Sequence, residues 1–438
     1  MNFEDNIKLL QAAQGDSQRL AEATLEIVLA ALSPELSGAL QAVAVPHWFD
    51  EEILGALLQT DKLSAERISA QLRLLSMVES FPLRSGWNIT KDMRIVLRRR
   101  LARTRPEHLH LLSARAASYF EKGDSTRQTE AIYHRLLAFP DVGAAELERF
   151  YESWREEDRE VLQTLGIPLD ELIMDGLLEP VARATVLLFF CRIRPGRGIE
   201  NQAREASNTF QSIGYSSAEV EARHCLGKIL HDQGRQDEAL KEFEICKNIM
   251  LRQLDPSQVS ILASCLVYEK GLRGSYDVFL SYNSKDREAV ISVASNLMQV
   301  GLRPWLDEWD LVRNKPWIPQ LTEALGTVNC TAVFWGKNGT GPWQEKEQDF
   351  ALQMAVQRGR GIVIILLPDA VDKPGELPGF LNSYPVLKLV ATDRSETHSF
   401  RNLVLGIMGE KPGILQERAV DAFLVAEVQE RQRQGLQR

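Results

Sequence analysis

Up to about Tyr268 the apolar residues recur every three or four positions, as in ALQAVAVPHWFDEEILGALLQ and RISAQLRLLSMVESF. That spacing predicts amphipathic helices. From Tyr276 the period changes, and the short β-rich runs YDVFLSY, CTAVFW, GIVIILLP and PVLKLVA alternate with helical stretches such as Arg287 to Val300 and Trp343 to Arg358. Strands separated by helix-length segments predict βαβ units, hence a parallel sheet covered by helices on both faces. The boundary falls near EKGLRGS, Glu269 to Ser275.

At 438 residues the chain is long enough for two or three domains, at about 150 residues each. Its 44% hydrophobic and 25% charged fractions are those of a soluble globular protein. No apolar run approaches the roughly 20 residues a membrane span needs, and MNFEDNIKLL has no basic stretch leading into an apolar core. A cytoplasmic protein is the expectation. Cys191, Cys225, Cys246, Cys265 and Cys330 are odd in number and never spaced as CxxC, which disfavours a disulfide framework and a zinc site alike. A net charge of −9 works against unspecific attraction to nucleic acid or anionic lipid.

Within the helical part, AREASNTFQSIGYSSAEVEARHCLGKILHDQGRQDEALKEFEICKNI sets small residues, Gly227, Ala239 and Cys246, where helices must approach closely. Large ones, Leu226, Leu230 and Phe243, stand where helices interlock, and Gly234 sits at the turn between. The stretch resembles a tetratricopeptide repeat, departing from it at Arg223, where that family prefers a large aromatic. Because such repeats bury a core only by stacking, further helical pairs are expected over 107–270, the alternative being an irregular helical bundle. Upstream, helix-like stretches over Leu36 to Leu101 enclose LRSGWNIT, with Gly86 as a hairpin turn, and residues 1–106 resemble a winged-helix module. No GxxxxGK[ST] occurs, so the nucleotide-driven motor that accompanies such modules in signalling ATPases is missing. Arg94, Arg98, Arg99, Arg100, Arg103 and Arg105 cluster on the following helix, which reads either as a solvated face or as a nucleic-acid contact.

Metal and triad chemistry are disfavoured: there is no HExxH, no GxSxG elbow and no His/Cys cluster at zinc spacing. His108 and His110, two apart, face different sides of a helix. GKNGTG, Gly336 to Gly341, joins a strand to a helix start, where backbone amides favour anions, but it is neither a P-loop nor GxGxxG.

SYDVFLSYNSKDREAV, GLRPWLDEWDLVRNKPW, TAVFWGKNGTGPWQEKE and GIVIILLP occur in that order between Ser275 and Gly409. Together they resemble the successive strands and loops of a bacterial Toll/interleukin receptor (TIR) domain. The resemblance implies an α/β, flavodoxin-like fold with a five-stranded parallel sheet over 275–409, preceded by the mostly helical region. It leaves a C-terminal helical tail at 410–438, whose Ile414 to Val428 alternates apolar and charged residues with helical period.

On a helix beginning near Pro342, Trp343 and Glu347 share a face with Phe350, Ala351 and Met354, whereas Glu345 does not. A carboxylate interrupting an apolar stripe must be paired, protonated or used. The alternative is a salt bridge or favour from the helix dipole. TIR domains that cleave NAD+ carry a glutamate four residues after a tryptophan on this helix, so the resemblance implies Glu347 as the catalytic residue and Trp343 as an aromatic wall. NAD+ is then substrate, with no cofactor and no metal. By the same resemblance Ser281, Tyr282 and Lys285, after the first strand, lie near the ribose and phosphates. Trp305, Asp307 and Trp309 belong to the loop that admits substrate and makes subunit contacts. Their plainer reading is a capped turn, with Ser284 or Asp286 as cap, and core tryptophans. Asn314-Lys315 stands where that loop commonly has a glycine. The whole reads as a sensor and effector: the helical region meets an unknown protein, peptide or ligand, and TIR domains assembled as a homo-oligomer destroy NAD+, in bacteria as anti-phage defence, giving linear or cyclic ADP-ribose. The rival is a TIR adaptor that acts by self-association alone.

Overall fold

The structure, a computed structural model, describes residues 7, 10–122, 125–155, 159–194, 196–253, 258–312, 314–338, 353–370, 384, 386–392 and 397–409. They form two compact units, Met1–Glu219 and Val220–Arg438.

In the first unit the helices Pro34–Val43, Glu51–Leu58 and Lys62–Leu72 begin at side chains that accept the otherwise unpaired first-turn amides. Ser33 takes Leu36 N at 3.2 Å, Asp50 takes Ile53 N at 2.7 Å and Asp61 takes Ser64 N at 3.0 Å. An antiparallel hairpin follows, β1 (Val78–Phe81) and β2 (Gly86–Ile89). Its left-handed residue is Ser85, at φ 51°, not Gly86. Gly86 is required for a different reason: a Cβ there would lie 2.7 Å from the carbonyl oxygen of Phe49, whose backbone bridges to Trp87.

The helix Lys91–Thr104 overturns both readings of the arginine cluster. Arg94 and Arg98 are buried; Arg94 grips Glu171 with two nitrogens at 2.9 and 2.6 Å, and Arg98 meets Glu171, Asp175 and the Tyr133 hydroxyl. Arg99 donates to the carbonyls of Met174 and Asp175, and Arg100 to Glu26 at 2.7 Å. Only Arg103 and Arg105 of the six are exposed, too few for a stripe that tracks a phosphate backbone.

The second unit opens within the helix Ser216–Asp232, and the part from Val220 packs with the helix Gln236–Gln253 as their small and large residues predict. Gly234 turns the chain at φ +78°, and a Cβ on Gly227 would strike the Phe243 ring at 2.7 Å. Arg223, in the aromatic's place, pairs with Glu242 at 3.0 Å. The last helix of this region, Val259–Leu272, ends inside the stretch where the period changes.

The five strands beyond it are β3 (Val278–Ser281), β4 (Pro304–Trp305), β5 (Cys330–Trp335), β6 (Gly361–Leu366) and β7 (Val386–Lys388). Every pairing is parallel, in the order β4-β3-β5-β6-β7. Period-two alternation sorts their apolar residues between two cores. Val278, Leu280, Ala332, Phe334, Val363 and Ile365 pack with the helices Arg287–Gln299 and Thr397–Met408. On the opposite face Phe279 and Trp305 pack with Leu321, Ala324 and Leu325 of the helix Trp317–Thr327, and Val333, Ile362 and Ile364 with Ala355. The continuous hydrophobic strands of the sequence are those of a sheet covered on both sides. Among the described residues no helix is long and apolar enough to cross a membrane.

Candidate functional site

From β3 the chain crosses to β4 at one side and then to β5 at the other, so the strand order reverses at β3. In open α/β sheets ligands bind at the carboxyl ends of strands beside such a reversal. The loops there follow β3 (282–286), β4 (306–310) and β5 (336–338).

Four of the expected residues come together. Ser281 and Trp305 are buried, Tyr282 is half-buried, and with Asp307 they line a cavity of about 20 Å³. That space holds about one water molecule. Trp305 is a core residue, its indole stacked on Phe279 with centroids 4.8 Å apart. The Tyr282 hydroxyl donates to Asp307 Oδ1 at 2.6 Å; burial, then the Asp307 carboxylate, push the phenol far above its ordinary pKa, so it stays a neutral donor. Asp307 Oδ1 also accepts the Glu308 amide at 2.9 Å, and Glu308 pairs with Arg287 at 2.6 and 2.8 Å. The short helix Asp307–Asp310 is thereby tied to the β3 loop.

Lys285 and Trp309 stand apart from this group. Lys285 is exposed, and Trp309, at 43% exposure, is not among the residues that line the small cavity. Trp343 and Glu347 lie outside the described residues, as do Glu345, Phe350, Ala351 and the segment Ile414 to Val428.

A second cluster was not expected. The cap of the turn Ser284–Asp286 is Asn283, whose Oδ1 accepts the Lys285 amide at 3.0 Å. Asp286 does stand at the N-cap position of the helix Arg287–Gln299, as the sequence offered, but its side chain makes no capping bond and reaches across to the β5 loop, where its Oδ1 accepts Asn338 Nδ2 at 2.6 Å. Asn283 Nδ2 donates to the Asn338 carbonyl at 3.3 Å. Gly336 makes room for this clamp: a Cβ there would sit 2.6 Å from Asp286 Oδ2. The described part of the glycine-rich turn thus faces a buried carboxylate, which repels the anion that backbone amides alone would favour. The one signal in the sequence was the glycine, which requires a close approach without naming the partner.

Asn338→Asp places two carboxylates face to face and is expected to lower stability by about 1–3 kcal/mol. Adding Asp286→Asn restores one donor and one acceptor. Thermal unfolding of the two variants tests this, and a double variant no more stable than Asn338→Asp would show that the pair is not the contact that matters.

Among the described residues no group of three or more His, Cys, Asp or Glu is arranged to hold a metal ion. Residues 278–404 match the family model described as TIR domain. Among solved structures, the TIR domain of the Toll-related receptor TRR-2 from Hydra magnipapillata is 25% identical, over 30% of this chain and 98% of that one, with a TM-score of 0.24. No curated protein matches the chain.

Proposed function

The chain carries a TIR domain over residues 278–404, and we propose that this domain is an NAD+ glycohydrolase, cleaving the bond between nicotinamide and ribose with Glu347 as its catalytic carboxylate. TIR domains include NADases and self-associate; both properties enter the reading. The observation that carries it is positional. In the sequence Trp343 and Glu347, four apart, come after β5, and β5 pairs with β3, the strand at which the order reverses and beside which open sheets bind their ligands.

Glycosidases commonly use one carboxyl to protonate a poor leaving group and a second to stabilise the oxocarbenium-like carbon. In NAD+ the leaving nicotinamide is a cationic pyridinium that departs neutral, so no general acid is needed. One anionic carboxylate that binds ribose hydroxyls and faces C1′ supplies the stabilisation by fixed electrostatics. Water, or the adenine of the same molecule, then takes the C1′ position.

The described part of the site has room for about one water molecule. In this reading a dinucleotide is admitted when the segment Asp307–Asp310 shifts and the Tyr282 to Asp307 bond opens. Self-association through this loop is the proposed cause of that shift, with a partner or ligand of the helical region bringing chains together, as in a defence effector.

The test is incubation of the purified full-length protein with NAD+, at rising protein concentration, while nicotinamide release is followed. The reading expects release that rises more steeply than the protein concentration. No release at any concentration, from chains shown to associate, would leave the adaptor reading in its place.

A further inference from the structure

Within the second unit a cavity of about 830 Å³ opens between two sets of walls. One wall is built by the helices Ser216–Asp232 and Val259–Leu272, the other by the helix Arg287–Gln299, Arg303 and Trp309. Its volume lies in the range of about 300–1,000 Å³ typical of small-molecule sites. The small cavity beside Tyr282 shares none of its lining residues.

The walls are braced against each other. Lys270 Nζ bonds Asp277 Oδ2 at 2.8 Å and the Gly301 carbonyl at 2.9 Å. The Arg303 amide bonds Asp277 at 2.6 Å, and its guanidinium donates to the Ser275 carbonyl at 3.0 Å. Gly301, at φ +81°, lets Leu266 approach to within contact of that turn. Walls joined by such bonds hold the recess preformed, which keeps the ordering cost of binding low.

Its chemistry narrows the occupant. His231 and Tyr268 meet edge to face at 5.0 Å, and Tyr268 is held in place by stacking on Phe243 at 4.9 Å. Trp309 presents a partly exposed indole from the opposite wall. Aromatic surfaces on two walls, with Val267 on the one and Met298 on the other, reward a flat ring system. Among the described lining residues there is no carboxylate, and Arg303 brings a fixed positive charge. The guanidinium lies over Tyr276 at 4.0 Å and forms an ion pair with Asp310 at the long distance of 4.0 Å, so Asp310 offsets its charge only in part. With Arg303 the one fixed charge among the described lining residues, the recess favours an anion over a cation.

We propose that this cavity is a binding site for a planar aromatic molecule bearing a negative charge. Its occupant touches the helical region and the TIR domain at once. It also bears on Trp309, in the same short helix as Asp307, whose carboxylate holds Tyr282. Asp310 of that helix accepts the Tyr276 hydroxyl at 2.9 Å, beneath the Arg303 guanidinium. Ligand, arginine, tyrosine and loop thus form one contiguous path, and the site stands whether or not the domain cleaves NAD+.

The probes are anilinonaphthalene sulfonate and its uncharged parent, phenylnaphthylamine, titrated into the full-length protein by fluorescence. The expected result is one saturable sulfonate site per chain, with the uncharged probe at least tenfold weaker. Val267→Trp, which fills the cavity, weakens both probes at least tenfold while thermal unfolding is unchanged. Arg303→Gln removes the preference for the sulfonate and Arg303→Lys retains it. Trp309→Phe reduces energy transfer to the bound dye. Many weak sites indifferent to Val267→Trp, or equal affinity for the two probes, would overturn the proposal.

Discussion

Glu347→Gln is expected to lower nicotinamide release at least 10²–10³-fold, the scale of removing one preorganised electrostatic group from a transition state. Glutamine keeps the length, the planarity and an acceptor oxygen for the ribose hydroxyls, but it removes the charge that offsets the cation at C1′. Substrate binding should therefore suffer little and turnover greatly, so the loss appears in kcat with KM nearly unchanged. Glu345→Gln is the internal control. Two residues before Glu347, it falls on another face of the helix read from the sequence, and release should stay within about twofold of wild type. Thermal unfolding of both variants separates lost chemistry from lost folding. Full release from the Glu347→Gln protein would assign that carboxylate a structural part only, and the reading of the site would go with it.

What the sequence revealed about the domain, and what it withheld, have separate physical causes. The β-rich runs became strands because a sheet buried on both faces needs uninterrupted apolar segments, and Val278 to Ser281 is buried throughout. Gly227 and Phe243 met as read because a missing Cβ against a ring is a local, short-range requirement. The arginine cluster was misread because its partners are far along the chain. Arg98 and Glu171 are 73 positions apart, and periodicity identifies a face without saying what covers it. The clamp of Asp286 and Asn338, 52 positions apart, escaped for the same reason. Trp305 shows the limit of resemblance: its place at the end of β4 was legible, and only packing against Phe279 reveals that its ring belongs to the core. Charge pairs between distant segments are set by tertiary structure, so they are the features a linear reading loses first.

The interior of the first unit carries the largest expected change in stability. Arg98 is fully buried and meets Glu171, Asp175 and Tyr133, with Arg94 on the same glutamate. Beside them Glu130 lies 2.5 Å from His47 and 3.2 Å from His134. Arg98→Met is expected to cost about 3–5 kcal/mol in urea unfolding, because the acids it neutralised stay buried without it. The acids respond differently to the burial they share. Glu171 is raised by burial but held down to about 2 by Arg94 and Arg98, whereas Asp175 is pushed up to about 6 by burial and by Glu171, against the pull of Arg98. Asp175 in the folded chain therefore binds its proton more tightly than the unfolded value of 3.8. Its contribution to stability is fully present below that value and is lost as pH rises through about 6. Asp175→Asn should accordingly raise stability at pH 7 by about 1–3 kcal/mol, with the gain over wild type shrinking as pH falls toward 4. His134, lowered by burial, titrates in both proteins and cancels from their difference. A loss of stability at pH 7 would mean that the ion pair with Arg98 outweighs the cost of burying the charge. Arg98→Met should also cost less in the Asp175→Asn background than alone, since one of the stranded charges is already gone.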